Sequence, residues 1–505
     1  MQAEELKKLK SGTDVRGVAV AGENPINLTD EAVTLICRAF LKWLSQKCGK
    51  THFKIAFGHD SRISAPRLSS LVKDAIISSG SDAVYTGLSS TPSMFILLKQ
   101  SDYGCDASVM ITASHMPYDR NGLKFFTKDG GLDGKDIEKI LQIAADGDFL
   151  PQGKGDGEYC ERPFMDEYSQ ILVKTVESAC GKLPLAGKKI IVDAGNGAGG
   201  FFAEKVLSLL GADVSGSQFL EPDGNFPNHI PNPEDQTAIN SLQSAVIECG
   251  AELGIIFDTD VDRAGVVDRF GNEINRNRLI ALVSAILLKE KSGTVVTDSV
   301  TSDGLTEFIE ALGGKHLRFK RGYKNVIDKC KELNESGEYS PLAIETSGHA
   351  AFKENYYLDD GAYLITKILI CLAREKDGIT SLISDLSEPC EADEVRIGFN
   401  KNSKNFKSEG ALVIEDLKKF AASSIEMRLA DDNYEGARVN FDKDDGDGWT
   451  LVRMSVHDPV MPINFESNSA GGNVVMAKKL LRFLNCYDFL NAENLNKFIT
   501  IKEKN

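Results

Sequence analysis

Short apolar runs that end in polar loops recur along the chain and predict the strands of α/β domains. The runs Ala107–Ile111, Leu253–Phe257 and Leu342–Ile344 are continuous and bounded by polar residues, as expected of strands buried in a sheet. Because open α/β sheets bind ligands at the carboxyl ends of their strands, the three polar loops that follow are predicted binding loops. Their sequences are Thr-Ala-Ser-His at 112–115, Asp-Thr-Asp-Val-Asp-Arg at 258–263 and Glu-Thr-Ser-Gly-His at 345–349.

A weak internal repeat surrounds these loops. Strand, loop, helix, glycine and strand follow one another from Ile55, from Ile190 and from Val295, which is the order of a right-handed βαβ unit. In the second copy the pattern predicts a helix near 202–210 and a short strand after Asp213. We therefore predict three similar α/β domains with mixed sheets, each giving one polar loop to a shared central cleft.

The C-terminal part has a different pattern. Short strands are predicted near 395–399, 438–441, 449–454 and 463–465, and a helix at 473–484, which together indicate an α+β domain. The fold class is thus α/β, with three α/β domains and a C-terminal α+β domain around the cleft. The predicted domains are 1–155 with the serine loop, 156–273 with the aspartate loop, 274–392 with the glutamate loop, and 393–505.

Composition narrows the function classes. The chain has 505 residues and a formal net charge of −16, which argues against a nucleic-acid or anionic-membrane partner but not against an anionic small substrate. No apolar run approaches the ~20 residues that span a bilayer, and the first ten residues lack an apolar signal core. The ten cysteines include no Cys-x-x-Cys pair. We therefore predict a cytoplasmic protein with reduced thiols; the sequence carries no signal for a particular oligomeric state.

Ser114 is the candidate nucleophile. Its alternative role is that of a turn hydroxyl. His115 follows it, and Asn121-Gly122-Leu123-Lys124 places an ammonium ten residues on. A serine that accepts a phosphoryl group needs nearby cations to hold the developing charge.

Asp258, Asp260 and Asp262 form the candidate metal site. Spacing of two allows three carboxylates to converge on one cation, and ligation by oxygen alone suits Mg²⁺, with phosphate and water completing the shell. A solvated turn is the weaker interpretation, because like charges this close repel one another. Arg263 follows directly and is placed to steer a phosphate.

Other loops carry weaker signals. Glu345, Ser347 and His349 offer donors and acceptors for sugar hydroxyls, or form a polar loop without a ligand. The stretch 195–200 matches the dinucleotide motif G-x-G-x-x-G, but it lacks a convincing acidic partner about 20 residues on. The stretch 442–447 resembles a calcium loop with a misplaced glycine, and a hairpin turn is the better interpretation.

These motifs together resemble the α-D-phosphohexomutase family over nearly the whole chain and in the right order. The loop at 112–117 with 121–124 resembles the family's phosphoserine loop, 258–263 its metal loop and 345–349 its sugar loop. The segments 12–17, 58–62 and 222–227 also match. The resemblance implies four domains around a central cleft and transfer of a phosphoryl group between C1 and C6 of a hexose.

The resemblance also implies roles for individual residues. Ser114 would be the phosphorylated serine and would bind Mg²⁺ together with Asp258, Asp260 and Asp262. Glu345 and Ser347 would hold sugar hydroxyls. Arg16, Lys124 and Arg263 would assist transfer of the phosphoryl group. His115 and His349 would be candidates for the general acid or base. The resemblance also implies substrate contacts from Lys320, Arg321 and Tyr323.

The predicted phosphate loop of the last domain departs from the family pattern. Arg453, Ser455 and His457 are its substrate-contacting candidates, but Val456 and His457 stand where Asn or Gly and Thr are usual. A second arginine is absent downstream, and Met116 replaces the commoner asparagine. The departures affect substrate identity and phosphate affinity, not the serine or the metal site.

The predicted function is a phosphosugar mutase for glucose or mannose phosphates. It would use Mg²⁺ and a phosphoserine enzyme, and a hexose 1,6-bisphosphate would be both intermediate and activator. The alternatives are a phosphoglucosamine mutase, a non-catalytic sugar-phosphate-binding regulatory relative, or a leaky site with net phosphatase activity.

Overall fold

The computed structural model of the chain describes residues 3–151, 157–375, 378–455 and 458–504. Two compact units are formed, the first by Met1–Leu279 and Ser347–Ser381, the second by Ile280–Thr346 and Leu382–Asn505. The four predicted domain boundaries and the central cleft stay predictions. Among the described residues no helix has both the length and the apolar character needed to cross a bilayer. All ten cysteines are free thiols.

An eight-stranded mixed sheet forms the N-terminal part of the first unit. Its strands are β1 (Lys10–Ser11), β2 (Asp14–Val18), β3 (Lys54–His59), β4 (Asp82–Leu88), β5 (Ala107–Ile111), β6 (Arg120–Thr127), β7 (Gly130–Gly131) and β8 (Tyr159–Glu161). The order is β1-β2-β6-β5-β3-β4-β8, and β7 pairs with β6. β3 runs parallel to β4 and β5, whereas β6 runs antiparallel to β5. The carboxyl end of β5 therefore opens into the loop that carries Ser114.

Helices of this part cover the sheet and end where the sequence supplies caps. Thr29 caps the second helix through the amide of Ala32, and Gly49 ends it in the left-handed conformation. Asp133 begins the last one with a capping box. Phe40 and Phe125 pack together in the core, with ring centroids 4.6 Å apart. The helices are α1 (Ala3–Lys7), α2 (Asp30–Cys48), α3 (Ala65–Ser78), α4 (Thr91–Ile96) and α5 (Gly134–Asp146).

A four-stranded mixed sheet follows in the same unit. Its elements are α6 (Met165–Cys180), β9 (Ile190–Asp193), α7 (Gln236–Cys249), β10 (Leu253–Phe257), β11 (Ala264–Asp268) and β12 (Glu273–Ile274); α8 (Arg276–Leu288) comes next in the chain. The order is β12-β11-β10-β9, with β9 parallel and β11 antiparallel to β10. The aspartate loop 258–263 is therefore the turn between β10 and β11.

Two predicted elements of this part differ from the structure. The helix near 202–210 is reduced to a π-helical turn at Ala203–Leu207. The glycines just before it approach Phe257 and the Leu220 carbonyl closely, and glycine favours regular helix weakly. The short β segment after Asp213 is not a continuous strand, because Asp213 Oδ1 accepts the Ser215 amide in a turn and the segment pairs only through two isolated parallel bridges, of Asp213 with Lys189 and of Gln218 with Asp193.

The second unit contains the parallel strands of the third repeat. Its elements are β13 (Thr294–Thr297), α9 (Asp303–Ala311), β14 (Lys315–Arg318), α10 (Tyr323–Glu335) and β15 (Leu342–Ile344). β13 pairs in parallel with β14 on one side and β15 on the other. The chain then returns to the first unit, where β16 (Ala350–Phe352) and β17 (Leu358–Asp359) form an antiparallel pair before α11 (Gly361–Arg374).

The C-terminal part of the second unit is an α+β sheet region, as predicted. Its elements are β18 (Glu391–Phe399), α12 (Phe406–Ser423), β19 (Arg428–Leu429), β20 (Ala437–Phe441), β21 (Gly448–Val452), β22 (Val460–Ser467), α13 (Gly472–Leu484), β23 (Leu490–Asn491) and α14 (Glu493–Lys502). The sheet order is β19-β20-β21-β22-β18-β23. Residues 442–447 join the antiparallel strands β20 and β21, so the calcium-like stretch is a hairpin connection. The predicted three α/β regions with mixed sheets and the C-terminal α+β region are confirmed.

Candidate active site

Ser114 follows β5 in a backbone conformation that is uncommon for serine. Its φ is +52°, in the left-handed region, and its amide donates to Thr112 Oγ1 at 2.9 Å. The residue is buried, and its hydroxyl donates to Asp258 Oδ2 at 2.9 Å. The turn thus directs the candidate nucleophile at the aspartate loop.

Asp258, Asp260 and Asp262 converge as predicted. All three are buried, and one carboxylate oxygen from each lies within 4.8 Å of the others. Among the described residues, Asp260 Oδ1 and Asp262 Oδ1 are buried oxygens without a hydrogen-bond donor. Buried carboxylates at this separation repel one another unless a cation lies among them. The donor set consists of carboxylate oxygens, the ligands that Mg²⁺ prefers, so these residues fit Mg²⁺.

The aspartate loop also stores backbone strain. Val261, between the last two carboxylates, has a φ of +64°, an outlier for a β-branched residue. Its amide donates to the Asp258 carbonyl at 3.2 Å and its carbonyl accepts the Gly361 amide at 3.1 Å. Strain of this kind persists at functional sites when surrounding contacts hold it.

Two cations lie directly against the carboxylates. Lys124 Nζ is 2.5 Å from Asp262 Oδ2 and 3.2 Å from Asp260 Oδ2. Burial opposes its charge, but these carboxylates hold the pKa of Lys124 well above its usual value. Arg263 Nη2 lies 3.5 Å from the Ser114 hydroxyl. The hydroxyl therefore faces fixed positive charge, as transfer of a phosphoryl group requires.

Arg16 stands on β2 beside the serine loop. Its Nη2 donates to Asp14 Oδ2 at 2.7 Å, and its Nη1 contacts the Ala113 carbonyl at 3.3 Å. Burial opposes the charge of the guanidinium, but Asp14 and the carboxylates of the aspartate loop raise its pKa. The structure thus places Arg16 against the serine loop, Arg263 near the Ser114 hydroxyl and Lys124 against the aspartate loop.

Both predicted histidines reach the same site. His115 Nδ1 is 3.2 Å from Ser114 Oγ, and burial together with the neighbouring arginines lowers the pKa of His115 to about 2. His349 Nε2 is 3.9 Å from Asp262 Oδ1, and burial lowers the pKa of His349 to about 3. Ser347 Oγ lies 2.9 Å from His349 Nδ1. Both imidazoles are therefore neutral at physiological pH.

Thr91 is a site residue that the sequence analysis missed. Its hydroxyl donates to Asp260 Oδ2 at 2.5 Å, and its amide donates to the Asp260 carbonyl at 2.8 Å. The signal was present, because Ser90-Thr91-Pro92 is a typical helix start after a strand, but nothing local pairs it with a loop far along the chain.

The glycine-rich turn at 195–200 supports the aspartate loop. A Cβ on Gly197 would lie 2.9 Å from Thr259 Cα, and the Ala198 amide donates to the Thr259 carbonyl at 2.8 Å. Glycine is therefore needed here for close backbone approach. The dinucleotide-like motif has a structural explanation in this contact.

A second polar cluster lies within the second unit, around Glu345. Glu345 Oε1 accepts the Gly322 amide at 2.7 Å. Asp298, at the end of β13, accepts the hydroxyl of Thr346 at 2.8 Å and faces Arg321 Nε at 3.8 Å. Burial, reinforced by Asp298, raises the pKa of Glu345 to about 8. The sequence analysis missed Asp298, although it directly follows a predicted strand.

The C-terminal part of this unit adds a carboxylate and a guanidinium. Glu435 Oε2 accepts the Arg321 amide at 3.0 Å and the Ser299 hydroxyl at 2.5 Å. Arg453 is buried, with Nη2 3.7 Å from Glu394 Oε2. Burial, together with the charge of Arg321, lowers the pKa of Arg453. Arg321, Glu345 and Arg453 are thus predicted substrate residues that the structure gathers in one cluster.

The remaining predicted substrate residues are less closely tied to that cluster. Lys320 is exposed, with its ammonium 5.9 Å from the Phe319 ring centroid, and Tyr323 is the first residue of α10. Ser455 is half-buried, and its amide donates to the Val460 carbonyl at 3.0 Å. His457 lies outside the described residues.

Comparison with known proteins agrees with the family resemblance over most of the chain. Models of the phosphoglucomutase/phosphomannomutase α/β/α domains I, II and III match residues 7–150, 166–271 and 275–390. A phosphoglucomutase of Neisseria meningitidis is 32% identical over 460 residues, which cover 90% of this chain and 92% of the relative. A phosphomannomutase/phosphoglucomutase of Pseudomonas putida is 31% identical over 420 residues, covering 82% and 84%.

A solved structure agrees. A phosphoglucomutase/phosphomannomutase family protein of Burkholderia thailandensis superposes with a TM-score of 0.79 at 27% identity, covering 96% of this chain and 98% of that one. The matches span the serine, aspartate and glutamate loops in one order. The chain therefore belongs to the α-D-phosphohexomutase family of phosphoglucomutases and phosphomannomutases.

Proposed function

We propose that the protein is a phosphosugar mutase that interconverts hexose 1-phosphate and hexose 6-phosphate through a phosphorylated Ser114 and a hexose 1,6-bisphosphate. The bisphosphate is also the activator that restores phosphate to the serine. Glucose and mannose phosphates are the proposed substrates, and the cytoplasm is the proposed location.

One observation carries this proposal: the Ser114 hydroxyl lies in a buried turn between carboxylates and cations. The hydroxyl donates a hydrogen bond to Asp258 Oδ2 at 2.9 Å, and Arg263 Nη2 lies 3.5 Å from its oxygen. Phosphoryl transfer depends mostly on positioning and electrostatic stabilisation. A rigid hydroxyl facing fixed charges supplies both.

The transfer step needs a proton acceptor and a proton donor. When the phosphoryl group leaves Ser114 Oγ, the bond from phosphorus to Oγ breaks and a bond to a sugar oxygen forms. The sugar hydroxyl loses its proton to an imidazole, and Ser114 Oγ takes up a proton from His115, 3.2 Å away, to become the hydroxyl. His115 and His349 are the proposed acceptors, because their imidazole nitrogens lie beside the serine and the aspartates. The return step reverses these bonds with the other phosphate of the sugar.

Asp258, Asp260 and Asp262 would hold Mg²⁺, together with the serine or its phosphate. When bound, the ion would supply positive charge to the transferring phosphoryl oxygens. Lys124 and Arg263 keep the carboxylates in place, since each binds at least one of them.

The cluster of the second unit is the proposed sugar and phosphate site. The Glu345 carboxylate of this cluster and the Ser347 hydroxyl of the first unit suit sugar hydroxyls. The guanidinium groups of Arg321 and Arg453 suit the phosphate that is not being transferred. Lys320, Tyr323, Ser455 and His457 are proposed further contacts. Such a glutamate site also accepts an amino sugar, so a phosphoglucosamine mutase is the second candidate.

The test is a coupled assay with glucose 1-phosphate, mannose 1-phosphate and glucosamine 1-phosphate, with Mg²⁺ and glucose 1,6-bisphosphate present. Ser114→Ala should abolish turnover, and the native peptide that holds Ser114 should gain about 80 Da after incubation with the bisphosphate. Ser169→Ala is the matched control, because this buried hydroxyl only donates to a carbonyl within α6.

Three outcomes contradict the proposal in different ways. Near-normal activity of Ser114→Ala would show that Ser114 is not the phosphorylated serine of the reaction. No conversion of any of the three sugars would favour a regulatory sugar-phosphate-binding protein. Free phosphate in place of isomer would indicate a phosphatase.

A further inference from the structure

Arg62 is a buried arginine just before α3 whose guanidinium binds the loop that carries Ser114. Its side chain has no solvent exposure. Nη1 donates to the carbonyls of Pro117 at 2.7 Å and Arg120 at 2.9 Å. Nη2 donates to the carbonyls of Met116 at 2.5 Å and of Ser114. The two terminal nitrogens thus bind four carbonyls of one loop.

Asp60 connects the same arginine to the other end of the Ser114 peptide. Its carboxylate accepts the Arg62 amide at 3.0 Å and the Thr112 hydroxyl at 2.7 Å. Thr112 Oγ1 in turn accepts the Ser114 amide at 2.9 Å. Ser114 is therefore held at its N–H through Thr112 and at its carbonyl through Arg62.

This double hold explains the left-handed backbone of Ser114. A non-glycine residue keeps a φ of +52° only where its surroundings over-determine it. Relaxation of the turn to ordinary backbone angles would swing the Cβ and the hydroxyl away from Asp258. The direction of the nucleophile thus depends on the groups that hold the turn.

A segment after β9 lies against the guanidinium of Arg62. The Phe226 ring centroid lies 5.3 Å from the guanidinium carbon of Arg62, a cation–π distance. Gly224 lies against the backbone before α3, where a Cβ would come within 2.3 Å of the Ile63 amide nitrogen. Arg62 is therefore in contact with both the serine loop and this segment.

The chemistry of the contact requires arginine. A guanidinium presents its donors in a planar fork, whereas a lysine ammonium has three donors on one atom and cannot span four carbonyls. We propose that Arg62 is a positioning residue for phosphoryl transfer, which fixes the turn at Ser114 and so the direction of its hydroxyl. This inference rests on the proposed mutase function.

The test compares Arg62→Lys with Arg162→Lys in the full-length protein. Arg162 is the matched control, because its guanidinium also donates to a carbonyl, that of Asp102, and stacks on an aromatic ring. The assay follows conversion of glucose 1-phosphate with Mg²⁺ and glucose 1,6-bisphosphate. Hydrogen exchange of the peptides that cover residues 112–120 is measured in the same samples.

Arg62→Lys should lower kcat about 100-fold, the effect expected of a misplacement near 1 Å, with KM changed less than about threefold. Exchange over 112–120 should accelerate while peptides of the second unit stay unchanged. Arg162→Lys should match the native protein in both measurements. If Arg62→Lys does not fold, Phe226→Leu decides instead, with a kcat loss between a few-fold and about tenfold from the lost cation–π contact.

A native kcat in Arg62→Lys, a loss confined to KM, or unchanged exchange over 112–120 would each overturn the inference. For Phe226→Leu, a kcat and a hydrogen-exchange rate over 112–120 equal to those of the native protein would also overturn the inference. If the native protein converts no sugar phosphate, the proposed function fails, and the exchange measurement still decides whether Arg62 holds the serine turn.

Discussion

Replacement of Lys124 by methionine removes one cation from a buried cluster of three carboxylates. At an effective dielectric constant near 20, the ammonium attracts Asp262 at 2.5 Å by about 7 kcal/mol and Asp260 at 3.2 Å by about 5 kcal/mol. Desolvation of the lysine offsets much of this attraction, and removal of one partner of a buried pair costs about 3–5 kcal/mol. A unit of this size loses about 2 °C of Tm per kcal/mol. Lys124→Met should therefore lower Tm in EDTA by about 6–10 °C.

Magnesium should reverse part of that loss. A cation at 100 times its Kd stabilises the folded state by about 2.7 kcal/mol. The variant carries one more uncompensated negative charge, so a tenfold tighter Kd adds about 1.4 kcal/mol. The Mg²⁺-induced rise in Tm should thus be about 3 °C larger in the variant than in the native protein, although mutase activity is lost.

Thermal unfolding in EDTA and in saturating MgCl₂ measures both effects. Lys73→Met is the control, because its ammonium lies on the surface of α3, 3.5 Å from Asp74. A Tm loss below 2 °C in EDTA would refute the buried ion-pair argument. Equal Mg²⁺ shifts in native and variant protein would refute the coupling between the Lys124 charge and Mg²⁺ affinity.

Two further predictions concern single carboxylates. Thr91→Val removes the donor to Asp260 Oδ2, so Mg²⁺ affinity by calorimetry should fall about 10- to 100-fold; unchanged affinity would show that the contact does not orient the ligand. Glu345 has a folded pKa of about 8, above its usual 4.5, so the folded state holds an extra proton and stability falls as pH rises from about 4.5 to about 8. Glu345→Gln should therefore raise Tm little at pH 5 and most at pH 8–9, where the gain in unfolding free energy is at most about 5 kcal/mol. A gain in stability that does not depend on pH would contradict the raised pKa.

The strand pattern and the reactive loops were predictable from the sequence because their signals are local. The runs before Ser114, Asp258 and Glu345 are strands β5, β10 and β15 with the predicted bounds. Aspartates at alternate positions after a buried strand indicate a cation site, because their carboxylates would repel one another without a cation. The structure brings their oxygens together.

The residues that hold those loops were not predictable in this way. Thr91 and Asp260 are separated by 169 positions, and Arg62 binds carbonyls, which carry no side-chain signature. Asp298 resembles any polar residue that ends a strand. Their functions depend on long-range packing, which hydrophobic periodicity does not encode.

The positive φ of Ser114 limits which hydroxyl amino acid the turn accepts. Threonine offers the same oxygen, but its added methyl group on Cβ makes this region of backbone angles strongly unfavourable. The fold therefore selects serine over threonine by steric restriction of the main chain, independently of the reactivity of either alcohol. We therefore expect that threonine cannot replace serine at position 114 without distorting the turn.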